Sequence, residues 1–471
     1  MAHVTFVQTE WFEHLGLLAL AAYVRSAGHQ VNLVLGRNPR KVIPEIIDNS
    51  PDLVAFTATT GAHKAALSIS EKLRSCFQKP IIMGGPHPTF FPEVLSHVGL
   101  DAVCRGEGEL PLAELLDRLD KKQSIADVPG LWVKQNGDIV KNTLPDLISD
   151  LDSLPFPAHD LLAQADPYLA GPGMKRVMAG RGCPYHCTYC FNDAMQELVR
   201  GKGPYVRLRS VDNVMAEVKS LAERGATTIN FVDDTFGLKR NWALSLLERL
   251  KSDVGLPYII NLRPEQVDNE LADALADSGC YCVQLGAESA DALTRKEILG
   301  RDVSDDQLDK AADLIKQKGI RLLTYNMVGI PGETLEGAAR TLEWNARLNV
   351  DFPRVSIFQP YPRTVLGEKF LQESGGGNTG AIELVSESYF RRSPLQGKEY
   401  RRIENLHKLF MPYIRSPSLR GAILKVSGLP SNPLFDLVFL LSMGAQYRKA
   451  TNRGIRETLR LGLRNLKAYF T

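Results

Sequence analysis

Apolar and polar positions along this chain fall into two alternating rhythms. Short apolar runs of five or six residues predict strands at 3–8, 30–35, 53–57, 80–83 and 102–104. Between them, one-sided apolar patterns predict helices at 15–27, 39–49, 62–77 and 92–97, the first stopped by Gly28. Residues 130–140 read as a β-hairpin around Asn136-Gly137, the favoured two-residue turn. The rhythm stops at 148–157, where Asp-Leu-Asp-Ser-Leu-Pro-Phe-Pro breaks helix and strand alike. It then restarts, with strands at 175–179, 228–232, 258–262, 281–285, 321–328 and 354–359. Helices are expected at 212–224, 241–253, 268–278, 304–318 and 334–348, with Ser210 able to cap the first.

Strands alternating with helices imply parallel sheets, so the fold class is α/β. The first third predicts a doubly wound, Rossmann-like sheet, whose ligands bind at the carboxyl ends of the strands. Thr57 and Thr59, Gly84 and Gly85, and 106–109 stand at those ends. The second series predicts a partial (β/α)6 barrel, with its chemistry at the carboxyl-terminal rim. The expected division is 1–145, a linker at 146–170, the barrel at 171–370 and a helical region at 371–471. After a glycine-rich loop at 374–380, that last region predicts helices at 399–414, 418–426, 433–445 and 455–470.

Composition adds limits. The 471 residues have room for about three domains. Hydrophobic content of 44% and charged content of 23% are those of an ordinary globular protein. A net charge of +2, with no basic patch interleaved with aromatics outside the tail, argues against nucleic-acid binding. The longest apolar stretch, 434–441, contains Asp436 and falls short of the roughly 20 residues a membrane span needs. The first residues read as a strand, not a signal peptide. Seven cysteines, an odd number, suggest no disulfide framework, so a reducing cytoplasm is expected.

Three of the seven, Cys183, Cys187 and Cys190, sit at C-x3-C-x2-C spacing in a loop just past a predicted strand. Three thiolates aimed at one point want a soft metal. A structural zinc site or an ordinary iron–sulfur cluster would take a fourth ligand. Cys280 and Cys282 alternate with apolar residues in a strand and are expected to pack in the sheet. Three ligands on a four-iron cluster would leave one iron open to a small molecule; the bland alternative, a structural zinc loop or chance clustering, lacks the fourth ligand.

The loop, with Tyr189 just before the third cysteine, resembles the cluster motif of radical S-adenosylmethionine (SAM) enzymes. The first third resembles the cobalamin-binding domain that precedes the cluster domain in one subgroup, through Leu15-Gly16-Leu17, Gly84-Gly85-Pro86-His87-Pro88-Thr89 and Arg105-Gly106-Glu107-Gly108-Glu109. The resemblance implies a [4Fe-4S] cluster that cleaves SAM to a 5′-deoxyadenosyl radical, a bound cobalamin, and methyl transfer to an unactivated carbon or phosphinate of a small molecule. It also implies an external one-electron reductant of flavodoxin or ferredoxin type. Alternatives are an oxidative cyclase or ring-rearranging enzyme, and a non-catalytic corrinoid or metal sensor. The usual Asp-x-His-x-x-Gly of cobalamin domains fails here, since His14 is one residue too close to Gly16. Cobalt without a histidine lower ligand is therefore expected, and His14 reads as a surface residue at a helix start.

By the same resemblance, Asp233 and Asp234 stand where many members hold the SAM amino group with Gly-Gly-Glu. Gln284 and Glu288 match residues that contact ribose or methionine, and Gly329 and Pro331 lie in the segment beside adenine. Arg263, then Arg295 or Arg301, are candidates for the SAM carboxylate. Tyr361 and Arg363 follow the sixth strand and are candidates for the substrate pocket. The last helix places Arg453, Arg456, Arg460, Arg464 and Lys467 on one face and leucines on another, a pattern that can lie weakly on an anionic membrane.

Overall fold

The computed structural model describes residues 1–166, 169, 171, 173–373, 390, 395–451, 455, 459, 462 and 463. The chain forms two compact units: Met1–Arg181 with Met195–Asn213, and Gly182–Ala194 with Val214–Thr471.

In the first unit, β1 (His3–Gln8), β2 (Gln30–Leu35), β3 (Leu53–Thr57), β4 (Ile81–Gly84) and β5 (Ala102–Cys104) pair in parallel, in the order β2-β1-β3-β4-β5. Register is fixed by Val4 against both Val31 and Leu53. Apolar side chains pack on both faces of the sheet, which is why its strands read as continuous apolar runs. The strand order reverses between β1 and β3, and the crevice of a doubly wound sheet opens at that point. The Asn136-Gly137 hairpin forms with both residues at positive φ, joining β6 (Leu131–Gln135) and β7 (Asp138–Lys141). It adds antiparallel to β5, so this sheet is mixed at one edge.

Among the described residues several elements escaped the sequence pattern, including helices Phe191–Leu198 and Val365–Glu373. Glu109–Asp120 is a helix whose apolar face packs on the sheet, and Pro86–Phe90 is a single helical turn. His159–Ala165, in the expected linker, is helical and buries Leu161 and Leu162. The ribbon of β9 (Gly180–Arg181) and β10 (Arg207–Leu208), numbered after β8 (Gly173–Val177), is two residues long, too brief for any periodicity.

The strands of the second series all form: β8, then β11 (Ala226–Phe231), β12 (Tyr258–Leu262), β13 (Cys280–Glu288), β14 (Arg321–Val328) and β15 (Phe352–Ile357). In the second unit β11 to β15 run parallel in sequence order as a half-barrel. Pro353 is tolerated because β15 is an edge strand. Helices start where side-chain caps stand: Asp268, Ser304 and Thr334 each accept a backbone N–H. Four C-terminal helices, Lys398–Lys408, Phe410–Arg415, Arg420–Val426 and Pro433–Thr451, pack beside helix Leu335–Arg347. The predicted loop at 374–380 and most of the predicted helix at 455–470 lie outside the described residues.

Candidate functional site

The cysteine loop in the second unit is held from its middle. Thr188 donates its N–H to the carbonyl of Leu299 at 3.1 Å and its hydroxyl to that of Ile298 at 2.6 Å. Its own carbonyl accepts from the N–H of Leu366. Gly300, at φ +63, lets the loop close in: a Cβ there would stand 3.0 Å from the Thr188 side chain. Cys183 and Cys187 are buried and Cys190 is partly so. Each of the last two meets a donor: Arg263 Nη1 lies 3.3 Å from Cys187 Sγ, and the Asn192 N–H lies 3.5 Å from Cys190 Sγ. Burial raises the Cys183 thiol and pushes Cys190 up to about 11, helped in both by the negative field of Asp234.

Around the loop stand the ends of β11, β12 and β13. Asp233 turns inward, 6% exposed, and its carbonyl accepts from Asn261. Asp234 is solvent-exposed beside the cysteines but crowded by the surrounding chain, which raises its carboxyl against a hydrogen bond from Asn192. Gln266 ties two strand-end loops together: it accepts from Thr235 and the Arg263 N–H and donates to the Phe236 carbonyl. Arg263 also pairs with Glu265.

β13 ends in a bulge between Gly286 and Glu288, and Glu288 sits at φ +63, a conformation that non-glycine residues rarely adopt. The bulge aims its carboxylate at Arg301, 3.3 Å away. Arg301 also reaches Tyr189 Oη at 3.2 Å and the Gly286 carbonyl at 2.8 Å. A side chain at Gly286 would meet both Glu288 and Arg301 at 3.1 to 3.2 Å. Burial raises the Glu288 carboxyl and Arg301 opposes it. Gln284, further down β13, accepts from the Tyr325 hydroxyl. The Gly329 and Ile330 N–H groups both donate to Glu333, which shapes the turn containing Pro331.

Arg295 does not share this site: it is fully buried and spends its donors on Ser289, Val303 and Asp305. Tyr361 packs against Phe191, just past the third cysteine, with ring centres 5.5 Å apart. Arg363 is exposed, at φ +71, with its backbone N–H on Glu368. Cys280 and Cys282 are buried in β13, and burial raises both thiols, Cys282 to about 12, so neither is a ready nucleophile.

The first unit holds a cavity of about 480 Å³ over the carboxyl ends of its strands. Its floor is largely apolar, with Leu15, Leu17, Leu20, Phe56 and Ile82, and its edges are backbone at Gly16, Gly84, Gly85, Gly106 and Gly108. Thr57 lines it. Thr59 does not, and its carbonyl instead accepts the His63 N–H. Phe156 and Pro157, from the segment read only as a linker, also line it, as does Arg209. At the polar rim Arg181 pairs with Glu107 and Glu109, and Arg207 with Glu107. Burial pushes Glu107 up, but Arg207 and Arg181 outweigh it and hold it below its usual value.

Against known proteins, the Radical SAM superfamily pattern matches residues 177–344 and the B12 binding domain pattern residues 9–116. An uncharacterized methyltransferase of Pyrococcus horikoshii is 33% identical over 423 residues, covering 87% of this chain and 88% of that protein. The chain belongs to the cobalamin-binding radical SAM enzyme family. The cytidylyl-2-hydroxyethylphosphonate methyltransferase of Streptomyces wedmorensis is 27% identical over 334 residues, 62% of this chain and 60% of that one. In fold alone, the chain is similar to the radical SAM methyltransferase TsrM of Kitasatospora setae, at TM-score 0.66 and 20% identity. That likeness covers 80% of this chain and 76% of the other.

A cobalamin-binding radical SAM enzyme uses a [4Fe-4S] cluster, SAM and cobalamin, and the residues present fit all three. Among the described residues no group of His, Cys, Asp and Glu closes on a single metal ion. Two sulfurs already accept N–H donors, as cluster thiolates do. The glycine-edged apolar cavity suits a flat, bulky ring. His14 lines that cavity, so the surface reading is corrected. Its Nδ1 accepts the Leu17 N–H at 3.3 Å as a helix cap, which leaves the ring proton on Nε2. Burial lowers its pKa and keeps it neutral. Sequence reading missed the anchors Thr188 and Gly300, because their partners lie about 110 residues apart in the chain.

Proposed function

We propose that this methyltransferase-class enzyme acts on an unactivated carbon, or a phosphinate phosphorus, of a small molecule. Residues 1–145 would hold the corrinoid and 171–370 the cluster and SAM. The observation that carries this is the pairing, on one chain, of the glycine-edged cavity with the Cys183–Cys187–Cys190 loop and its charged rim. When bound, these cofactors supply a 5′-deoxyadenosyl radical and a transferable methyl group.

The chain's own residues bind and orient. Cys183, Cys187 and Cys190 ligate the cluster. Asp234, rather than the inward-turned Asp233, accepts from the SAM amino group. Glu288 and Gln284 receive its hydroxyls, and Arg301 or Arg263 faces its carboxylate. Tyr189 and the Gly329–Pro331 turn bracket its adenine, and Tyr361 borders the substrate. Gly84, Gly85 and Thr57 would shape the corrinoid seat, and His14, whose Nδ1 is taken by the Leu17 N–H, would not serve as a cobalt ligand. The phosphonate-acting relative supports a small-molecule acceptor.

An external one-electron donor would reduce the cluster. Anaerobic reconstitution with iron, sulfide and cobalamin, then SAM and reductant, tests the whole. Both 5′-deoxyadenosine and S-adenosylhomocysteine are expected, falling to background in Cys183→Ala, Cys187→Ala and Cys190→Ala. Deoxyadenosine without S-adenosylhomocysteine would favour cyclisation or rearrangement; cleavage surviving in the cysteine variants would end the cluster assignment.

Among the described residues no helix is long and apolar enough to cross a membrane. Helix Pro433–Thr451 nevertheless exposes Leu434, Leu437 and Leu441, and the sequence beyond it is rich in Arg and Lys. That combination supports weak, salt-sensitive association with anionic lipid. Flotation with anionic but not neutral vesicles is expected, and no flotation removes the idea.

A further inference from the structure

Arg263 meets the cysteine loop on two sides. Its guanidinium carbon lies 3.6 Å from the centre of the Tyr185 ring, and Tyr185 stands between Cys183 and Cys187 in the chain. Its Nη1 donates to Cys187 Sγ at 3.3 Å, and its Nε pairs with Glu265. The side chain is largely buried, so water screens the charge little. The strand end does not need these contacts, because the Arg263 backbone N–H is already bound to Gln266 at 2.9 Å. Glu265 leaves one carboxylate oxygen, Oε2, buried and without a partner.

We propose that Arg263 sets the reduction potential of the cluster, as a positioning and tuning residue acting through the Cys187 sulfur, with Glu265 as its counterweight. The inference rests on the assignment of the three cysteines as cluster ligands. One-electron reduction adds negative charge that spreads onto the cysteine sulfurs. A hydrogen bond and a fixed cation at one sulfur favour the reduced form and raise the potential. Glu265, touching the same guanidinium, subtracts from that field. The two residues therefore act with opposite sign. A residue that merely braced the loop, or merely held the SAM carboxylate, would not behave this way.

The test is a reductive titration of the reconstituted full-length protein without SAM, using dithionite with mediators and reading the reduced cluster by electron paramagnetic resonance. Iron and sulfide are assayed on each sample. Arg263→Gln is expected to hold a full cluster at a more negative midpoint, Arg263→Lys to fall between it and the parent, and Glu265→Gln to move positive. Full clusters with unchanged midpoints in Arg263→Gln and Glu265→Gln overturn the proposal. Should Arg263→Gln lose its cluster, Glu265→Gln decides: a positive shift supports the proposal and none overturns it. A parent protein that takes up no iron–sulfur cluster would remove the ligand assignment first, and the proposal with it.

Discussion

The two units prepare for their ligands by opposite means. The cavity of the first is walled by leucines and bare backbone, and the charges at its rim are spent on one another, Arg181 and Arg207 against Glu107 and Glu109. The rim of the second leaves its charges less completely answered: Glu288 is strained against Arg301, and Asp234 is exposed beside the cysteines. A large flat ring with dispersed polarity is gripped by shape, whereas a small zwitterion is gripped by charge. In the first unit, adding atoms should do harm. In the second, removing charge should.

The sharpest way to break that contrast is at Arg301. Truncating one partner of a buried ion pair leaves the other charge uncompensated, at about 3 kcal/mol. Arg301→Met should therefore lower the stability of the cofactor-free protein by roughly that amount, and Arg301→Met with Glu288→Gln should recover most of it. Both would be read from urea unfolding. If Arg301→Met alone is as stable as the parent, Arg301 is not an internal brace for Glu288, and its charge is held for the ligand only.

The first unit should respond to bulk instead. Gly85 has φ +96, and a Cβ there would lie 3.0 Å from the Ala58 carbonyl oxygen and from Thr57 Oγ1. Gly85→Ala forces strain on the order of 1–3 kcal/mol into the cavity edge. Cobalamin affinity, followed by its visible absorption, should fall about tenfold, while cluster content stays at the parental level. Removing a charge at the same rim, as in Glu109→Gln, should change cobalamin affinity less. The reverse order would mean that this cavity, too, works by charge.

How much of this could be read in advance differs between the units for the same reason. Apolar runs and Gly-Gly pairs are local, so the strands and the glycine-edged strand ends were visible in order. The cysteine spacing is local as well. The partners of Arg301 and Thr188 are not, being 112 and 110 positions away, and no periodicity points to them. Asp233 and Asp234 are neighbours in sequence with equal chemistry. Only the turn after β11, clamped by Asn261, decides that one faces inward and the other outward. His14 was read from a spacing that failed, but its role comes from its Nδ1 capping a helix. Glu109–Asp120 went unread as a helix although the apolar face it buries was there to see.

A contrast visible only across pH lies in the turn after β14. Glu333 accepts from the N–H groups of Gly329 at 2.6 Å and Ile330 at 3.2 Å through one oxygen, which leaves the other free to carry a proton. Burial raises its pKa from 4.5 to about 8, outweighing those two donors. An acid whose pKa is raised on folding binds a proton that the unfolded chain has released. Its contribution is therefore complete below about pH 4.5 and is lost as pH climbs through about 8. Glu333→Gln keeps an oxygen for the two N–H groups and carries no titrating proton. Its melting temperature should thus stay near the parent's at pH 5 and clearly exceed it at pH 9. Parallel curves for parent and variant across that range would show Glu333 ionised throughout. The second unit would then hold a buried carboxylate on two backbone N–H groups alone.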